Sequence, residues 1–412
     1  MIDKEEPMKK ALVLGGTAPH INLIENLKRR GYEVILLDYL ENPPAAKAAD
    51  VHVRKSTLDL DEVLRTARDE SVDLVISSCV DQANATACFV AENLGLPMPY
   101  SYETALNVTD KLRMKRLMVE GSVPTSRFVE APNIIERAIE ELTFPLVVKP
   151  VDSNGSRGIH RVDDDCTLRA AIKLAEEASR SSRIIVEEFV TGVEVSYYFY
   201  IQDGKAFYLT SNQRLNFETT SELVLQCSGA LYPADISPSA HKALLRAGQA
   251  IADSFGLINT PMFLQAKVDK DEVSVIEFAP RVGGGLSFRN ILRNVGFDII
   301  DASVCSFLGE RVDLAVVNRE GVSLTSSIYA KPGIFEKFEG ISDAVQQGFV
   351  DEFYPYKTPG AEISSEGSSG SRVGGMLISG TSKMDVFNKD LVARKMIRVF
   401  DAKGEDITFS RR

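Results

Sequence analysis

The sequence predicts an α/β and α+β protein: a parallel α/β unit at the N-terminus, a mixed core after it, and a mixed C-terminal subdomain. Three observations predict this. The first hundred residues alternate short β-branched runs with helical stretches; from Val193 onward the strands lengthen and pair through tight turns; and 412 residues exceed what one hydrophobic core usually organises.

The opening strands are Ala11–Leu14, Val34–Leu37 and Leu74–Ile76, interleaved with helical patterns at Ile21–Arg30, Leu60–Glu70 and Asp81–Leu94. A βαβαβα order calls for a parallel sheet covered by helices on both faces. The turn Gly15-Gly16-Thr17 leaves backbone N–H groups at a helix start, which suits an anion, but a tight strand-to-helix turn needs glycine on steric grounds alone. Asp38 ends the second strand where a dinucleotide fold places its ribose acid, yet Gly15 to His20 is not G-x-G-x-x-G, so a nicotinamide cofactor is disfavoured. The prolines of Leu96-Pro97-Met98-Pro99-Tyr100 block a continued helix, and the first unit is placed at 1–106. A helix over Asp110–Glu120 stops at Gly121 and Pro124. Two strands around a glycine-rich turn, a helix over Asp164–Ser179 and the strand Ile184–Val186 make a small lobe at about 125–190 within a core of 107–309. The runs Val195–Ile201 and Ala206–Leu209 flank Gln202-Asp203-Gly204-Lys205 as an antiparallel hairpin. Residues 310–412 form the closing subdomain, with short strands and the glycine- and serine-rich stretch Ser364–Gly375.

Composition narrows the function. Lys and Arg total 47 against 58 Asp and Glu, a net charge of −11, so no global positive field attracts nucleic acid and any anionic ligand must be held locally. No apolar run approaches the ~20 residues needed to cross a bilayer, and the N-terminus lacks a basic-then-apolar leader, so no membrane partner and a cytoplasmic location are expected. Five scattered cysteines form no C-x-x-C pair and read as reduced thiols; four scattered histidines show no ligand spacing, so metal chemistry must use oxygen.

Three stretches carry chemistry. In Phe144-Pro-Leu-Val-Val-Lys149-Pro150, a lysine leaves an apolar strand, and Asp152-Ser153-Asn154-Gly155-Ser156-Arg157-Gly158 follows with small residues whose N–H groups suit a polyphosphate. A plain hairpin turn explains the same glycines, since this is not G-x-x-x-x-G-K-[ST]. In Ile184-Ile-Val-Glu187-Glu188-Phe189-Val190, a strand runs into an extended segment whose main chain can read the edge of adenine, with Glu194 beyond it for ribose hydroxyls; a charged surface strand end is the plainer explanation. In Phe263-Leu-Gln265-Ala-Lys267 and Ile276-Glu277-Phe278-Ala279-Pro280-Arg281, joined by a turn, Gln265 and Glu277 project to one face of a hairpin as two oxygen ligands for a hard cation. Arg281 can hold a phosphoryl group or carboxylate by two parallel hydrogen bonds, and Gly283-Gly284-Gly285 permits close approach of backbone to ligand.

In this order the three stretches resemble the ATP-grasp superfamily, and within it the carboxylate-amine ligases, carbamoyl-phosphate synthetase large chains and L-amino acid ligases. The resemblance covers nearly the whole chain. It implies ATP with Mg²⁺, or Mn²⁺ in its place, as cofactors. Lys111 resembles the first phosphate-contacting lysine and Lys149 the second, with Ser153 to Gly158 over the phosphates. Glu187, Glu188, Phe189 and Val190 look like the adenine hinge, Glu194 like the ribose acid, Gln265 and Glu277 like metal ligands, and Arg281 like the arginine that steadies an acyl phosphate. Gln265 is similar to the version in carbamoyl-phosphate synthetase, where many relatives carry an acid; Ala279 stands where many carry a metal-binding asparagine, so the usual third protein ligand is missing.

The activity implied is ATP-dependent activation of a small-molecule carboxylate as an acyl phosphate, followed by attack of an amine. Arg281 and Lys149 then count as catalytic, and Arg281, Gly284 and Arg289 as substrate-binding, Arg289 through a second carboxylate such as that of an amino acid or short peptide. The segment from Asn212 to Gly229 is a candidate lining for the acceptor pocket, or an ordinary connection. Two other functions share the scaffold: a carboxyphosphate-forming carboxylase, although the chain lacks the M-K-M carrier signature, and a non-catalytic nucleotide-binding module, motivated by Ala279. A homodimer is the commonest assembly for such an enzyme.

Overall fold

The computed structural model describes residues 8–131, 133–153, 158–217, 227–317, 319–363 and 371–409. A parallel four-stranded sheet comes first: β1 (Lys9–Leu14), β2 (Tyr32–Leu37), β3 (Val51–Val53) and β4 (Leu74–Ile76), in the order β3-β2-β1-β4, crossed over by α1 (Ala18–Arg29), α2 (Leu60–Asp69) and α3 (Asp81–Leu94). Strands β1 and β4 are buried almost throughout, as two covered faces require. The short edge strand β3 is one the sequence reading did not place: Val51-His52-Val53 is partly exposed and too brief to show a period.

Helices α4 (Tyr102–Thr109) and α5 (Lys111–Glu120) follow. Asp110 caps α5, its carboxylate accepting from Leu112 N and Arg113 N at 3.0 Å each, which places Lys111 in the first turn and Lys115 one turn on. A small lobe of β5 (Phe128–Val129), α6 (Ile134–Glu141), β6 (Leu146–Pro150), β7 (His160–Val162), α7 (Asp165–Ala178) and β8 (Ile184–Glu188) has the sheet order β5-β8-β6-β7. Leu146, Val148, Ile184 and Val186 face α7 in one apolar cluster, so strand alternation turns Val147, Lys149 and Glu187 to the other side.

The largest sheet has eight strands in the order β13-β12-β9-β10-β11-β14-β18-β16. Its first five are β9 (Val193–Gln202), β10 (Lys205–Asn216), β11 (Cys227–Tyr232), β12 (Thr260–Asp269) and β13 (Glu272–Ala279), packed with α8 (Pro238–Ser254), α9 (Ser287–Val295) and α10 (Ile299–Leu308). The expected hairpin turn is present: Asp203 and Gly204 both have positive φ, +52° and +75°, which matches the right-handed twist of the strands they join. The chain then runs through β14 (Val322–Tyr329), β15 (Gly333–Glu339), α11 (Ile341–Gln346), β16 (Glu352–Pro355), β17 (Glu362–Ile363), β18 (Arg372–Gly380), α12 (Lys383–Met396) and β19 (Arg398–Asp401). Strands β14, β18 and β16 extend the central sheet, so the C-terminal residues share a ladder with the core. Of the glycine-rich stretch expected to be low in complexity, residues 364–370 lie outside the described residues, while Arg372 to Gly375 begin a buried strand. Glycine is needed there for packing: a Cβ on Gly374 would stand 2.5 Å from the Phe353 ring, and one on Gly375 2.2 Å from the Tyr356 hydroxyl.

Gly229 on β11 shows the same constraint against backbone, which cannot swing aside: a Cβ would lie 2.3 Å from Thr325 O. Gly229→Ala is expected to lower unfolding stability by ~1–3 kcal/mol in a urea titration. Gly284→Ala, whose Cβ meets nothing within 4 Å, is expected to stay within about 0.5 kcal/mol of wild type. Equal effects of the two would contradict the packing reading.

Candidate active site

One cleft of about 580 Å³ lies between the small lobe, the central sheet and the N-terminal unit. Lys111, Lys149, Ser153, Glu187, Glu188, Phe189, Val190, Glu194, Gln265, Glu277, Arg281 and Gly284 all line it. Residues 200 apart in the chain meet there, and α5 begins where β6 ends: Lys111 N donates to Val151 O at 3.0 Å.

The small-lobe wall is built around a buried carboxylate. Glu187 Oε1 lies 2.7 Å from Lys149 Nζ and Oε2 lies 3.1 Å from Lys115 Nζ, with the Ser126 hydroxyl donating to Oε2 at 2.7 Å. Burial alone would raise this carboxyl, but Lys115 and Lys149 outweigh it and hold it well below the usual range. Burial lowers both Lys115 and Lys111, with Glu187 and Glu277 opposing it. The Lys111 ammonium donates to the Ser153 carbonyl oxygen. Sequence reasoning gave Glu187 to the adenine hinge through its main chain; its side chain pairs with Lys115 and Lys149. Lys115 was missed altogether, although Lys111 and Lys115 stand at i and i+4 on one helix face.

Beyond β8 the chain turns at Phe189, whose N–H donates to Pro145 O at 2.9 Å and whose ring lies under the Arg161 guanidinium at 4.6 Å. The Glu188 carboxylate accepts from Thr143 N at 3.0 Å and pairs with Arg127 at 3.3 Å. Asn154, Gly155 and Ser156 lie outside the described residues. Gly158 has φ +70° and packs so that a Cβ would be 2.5 Å from that of Ala178; it does not line the cleft.

Across the cleft the central sheet presents rows of side chains. Glu277, Gln265, Ser196 and Asn212 are in register across β13, β12, β9 and β10. With its amide oriented to satisfy both neighbours, Gln265 donates to Glu277 Oε1 at 2.8 Å and accepts from Arg214 Nη1 at 2.9 Å. Glu194, in the next row, sits 3.3 Å from Arg214 and 3.6 Å from Lys267. In this orientation the Gln265 oxygen faces Arg214; with the amide turned over it would stand beside Glu277 Oε1 instead, and Ala279, buried opposite Phe263, adds no oxygen. Among the described residues, the one cluster of three potential His, Cys, Asp or Glu ligands, Asp164, Asp165 and Cys166, is exposed and elsewhere, so a cation here would need ligands from outside the protein as well.

Arg281 is more constrained than its sequence suggests. Its Nε and Nη2 fork onto Asp81 of α3, the latter at 2.7 Å, its Nη1 donates to Val282 O at 2.8 Å, and the guanidinium lies 5.0 Å over the Phe263 ring. Two N–H donors remain for a ligand. Arg289 is a correction: it forks onto Glu352 at 2.8 and 2.9 Å and does not line the cleft. An arginine on the outward side of α9 finds a carboxylate of the C-terminal strands first. Among the described residues, the arginines that line the cleft are Arg214, Arg281 and Arg372. Strand alternation from Asn212 would have signalled Arg214; Asp81 and Arg372 depend on tertiary folding.

Residues 142–289 match the family described as the ATP-grasp domain. This segment is an ATP-grasp domain. It contains Lys149, Glu187, Glu194, Gln265, Glu277 and Arg281; Lys111 and Lys115 precede it. The formate-dependent phosphoribosylglycinamide formyltransferase of Ignicoccus hospitalis is 30% identical over 187 residues, 44% of this chain and 46% of that protein. The D-alanine–D-alanine ligase of Polaromonas naphthalenivorans is 33% identical over 112 residues, 26% and 34% of the two chains. The chain thus spans about half the length, or less, of these curated relatives. Among solved structures, the L-amino acid ligase from Bacillus licheniformis superposes with a TM-score of 0.79 at 20% identity, covering 95% of this chain and 98% of that one. The biotin carboxylase domain of the Hydrogenobacter thermophilus 2-oxoglutarate carboxylase gives 0.79 at 16%, covering 98% and 92%. The ATP-grasp fold therefore extends around the domain over nearly the whole chain. No described helix is long and apolar enough to cross a membrane.

Because Glu187 titrates below its ordinary 4.5 when folded, the folded protein binds fewer protons in acid than the unfolded chain. Its stabilisation is complete above that value and is lost as pH falls through the folded value. Glu187→Gln is expected to lower stability at neutral pH by ~3–5 kcal/mol, since two buried ammoniums lose their partner, and to flatten the acid limb between about pH 5 and pH 2. Parallel acid limbs for wild type and variant, in melts taken across that range, would contradict this.

Proposed function

We propose that the protein is an ATP- and Mg²⁺-dependent ligase that activates a carboxylate as an acyl phosphate and joins it to an amine, with an amino acid or short peptide on at least one side. The observation that carries this reading is the convergence of Lys111, Lys149, the Gln265–Glu277 pair and Arg281 on one cleft inside an ATP-grasp fold. Adenine fits the hinge at Glu188 to Val190 and ribose fits Glu194. Polyphosphate fits between Lys111 and Lys149, whose charge is local in a protein of net −11.

A divalent cation on Gln265 and Glu277 would neutralise phosphate charge. In the first step a carboxylate oxygen attacks the γ-phosphorus and ADP leaves. In the second, the amine nitrogen attacks the acyl carbon, inorganic phosphate leaves, and nitrogen gives up one proton. The residues position reactants and offset charge, and no covalent nucleophile is needed. Arg281, held by Asp81, Val282 O and the Phe263 ring, aims its two remaining N–H donors at the developing acyl phosphate.

With MgATP and pooled amino acids, wild type is expected to release phosphate in an amine-dependent manner, and Lys149→Met to reduce turnover by about a hundredfold or more. Phosphate release that needs bicarbonate and no amine would favour the carboxyphosphate reading. Tight nucleotide binding with no turnover on any carboxylate would favour a binding module.

A further inference from the structure

A second, much smaller pocket adjoins the Arg281–Asp81 pair. Its volume is about 10 Å³, and it is lined by Asp81 and Asn84 of α3, Tyr100, Thr109 of α4, and Pro280 and Arg281 beyond β13, among others. A water molecule needs a space of about 10–15 Å³ and two to four polar partners, so this pocket takes one water and nothing larger. Asn84 is 3% exposed, and its Nδ2 has no hydrogen-bond partner among the described residues. Buried side-chain donors are nearly always paired, with protein or with ordered water. Asp81 and Asn84 stand at i and i+3 on α3, so the orphaned donor and the carboxylate share one helix face.

The other walls supply what a water needs. Both carboxylate oxygens of Asp81 accept from Arg281, and each keeps a further lone pair. The Thr109 hydroxyl donates back to Ala105 O at 3.0 Å, which leaves its oxygen able to accept. Burial pushes the Tyr100 hydroxyl well above its ordinary value, with Cys88 and Asp81 adding to this and Arg281 opposing it, so it stays a protonated donor in the field of the ion pair. The set is two donors, Asn84 and Tyr100, and two acceptors, Asp81 and Thr109. That is the complement of one water, which accepts twice and donates twice.

We propose that this pocket is a structural water site, that its water links Asn84 Nδ2 to the Asp81 carboxylate, and that Asn84 is thereby a positioning residue for Arg281. Asp81 is fixed by its helix only at the backbone; a bond to a second lone pair fixes its side chain as well, and with it the fork that aims Arg281. The water uses neither of the two N–H groups that Arg281 keeps for a ligand. The site itself needs no assumption about the reaction, whereas the effect on turnover rests on the ligase reading.

Two measurements on the full chain test this. A crystal structure with MgADP, sharp enough to show ordered water, is expected to place one peak about 2.7–3.2 Å from Asn84 Nδ2 and within hydrogen-bond reach of Asp81. In Asn84→Leu, which keeps the bulk and loses the N–H, the peak is expected to vanish and Arg281 to give up at least one of its two bonds to Asp81. In kinetics, Asn84→Leu is expected to lower kcat about tenfold or more with KM for ATP within about twofold, and Asn84→Ser, which restores a donor and leaves space for water, to recover most of the loss. MgADP affinity in each variant reports that the fold is intact; if Asn84→Leu does not fold, the equally shaped Asn84→Val and Asn84→Thr make the same comparison. No peak in wild type, contacts shorter than about 2.6 Å that mark a metal ion, an unchanged Arg281–Asp81 fork in Asn84→Leu, or kcat and ATP affinity falling together would each overturn the proposal. If wild type turns over no carboxylate, the ligase reading fails, and the two crystal structures decide the water site without it.

Discussion

A carboxylate buried between two buried ammoniums is the interaction on which the site depends. Glu187 cannot sit at 4% exposure as an anion without cations, and Lys115 and Lys149, at 2% and 7%, cannot stay charged without an anion. The three therefore fix one another, and with them the placement of α5 against β6 and β8. That placement carries Lys111 into the same cleft. Lys149, which lines the cleft, is thus oriented by a carboxylate before any ligand binds, so a polyphosphate there would cost it little side-chain entropy.

The opposite wall is organised by register rather than by charge pairing. Antiparallel pairing sets Glu277, Gln265, Ser196 and Asn212 side by side across four strands, and Lys267, Glu194 and Arg214 in the neighbouring row. One sheet face therefore carries carboxylate and amide groups on β12 and β13 and asparagine, arginine, tyrosine and serine on β10, β11 and β14. The C-terminal strands join this sheet directly, so the far end of the cleft is rigidly coupled to the near end. Ala279 offers no ligand atom, so the affinity of a cation placed on Gln265 and Glu277 would depend on phosphate oxygens and would couple metal to nucleotide.

Much of this was legible in the sequence where the signal was local. The apolar runs in Leu146–Pro150 and Ile184–Glu188 marked two strands, and the Asp203-Gly204 turn set the β9–β10 hairpin. Helix α3 was placed at its observed bounds, Asp81–Leu94, because strand and helix periods change sharply there. What was not legible was pairing over distance. Nothing local distinguishes Arg281, which reaches Asp81 two hundred residues away, from Arg289, which turns from the cleft to Glu352. Nor does sequence show that a Glu at a strand end points inward to two lysines rather than outward to solvent. Gly374 and Gly375 looked like low complexity because the rings that require them, Phe353 and Tyr356, come from another strand.

The central claim is that Lys111 and Lys149 hold the same polyphosphate. It is tested most directly by measuring the affinities of a non-hydrolysable MgATP analogue and of AMP for wild type, Lys111→Met and Lys149→Met. Each variant is expected to lose about tenfold or more for the triphosphate, ~1.4 kcal/mol, with little change for AMP. Unchanged triphosphate affinity in either variant, or an equal loss for both nucleotides, would contradict the account.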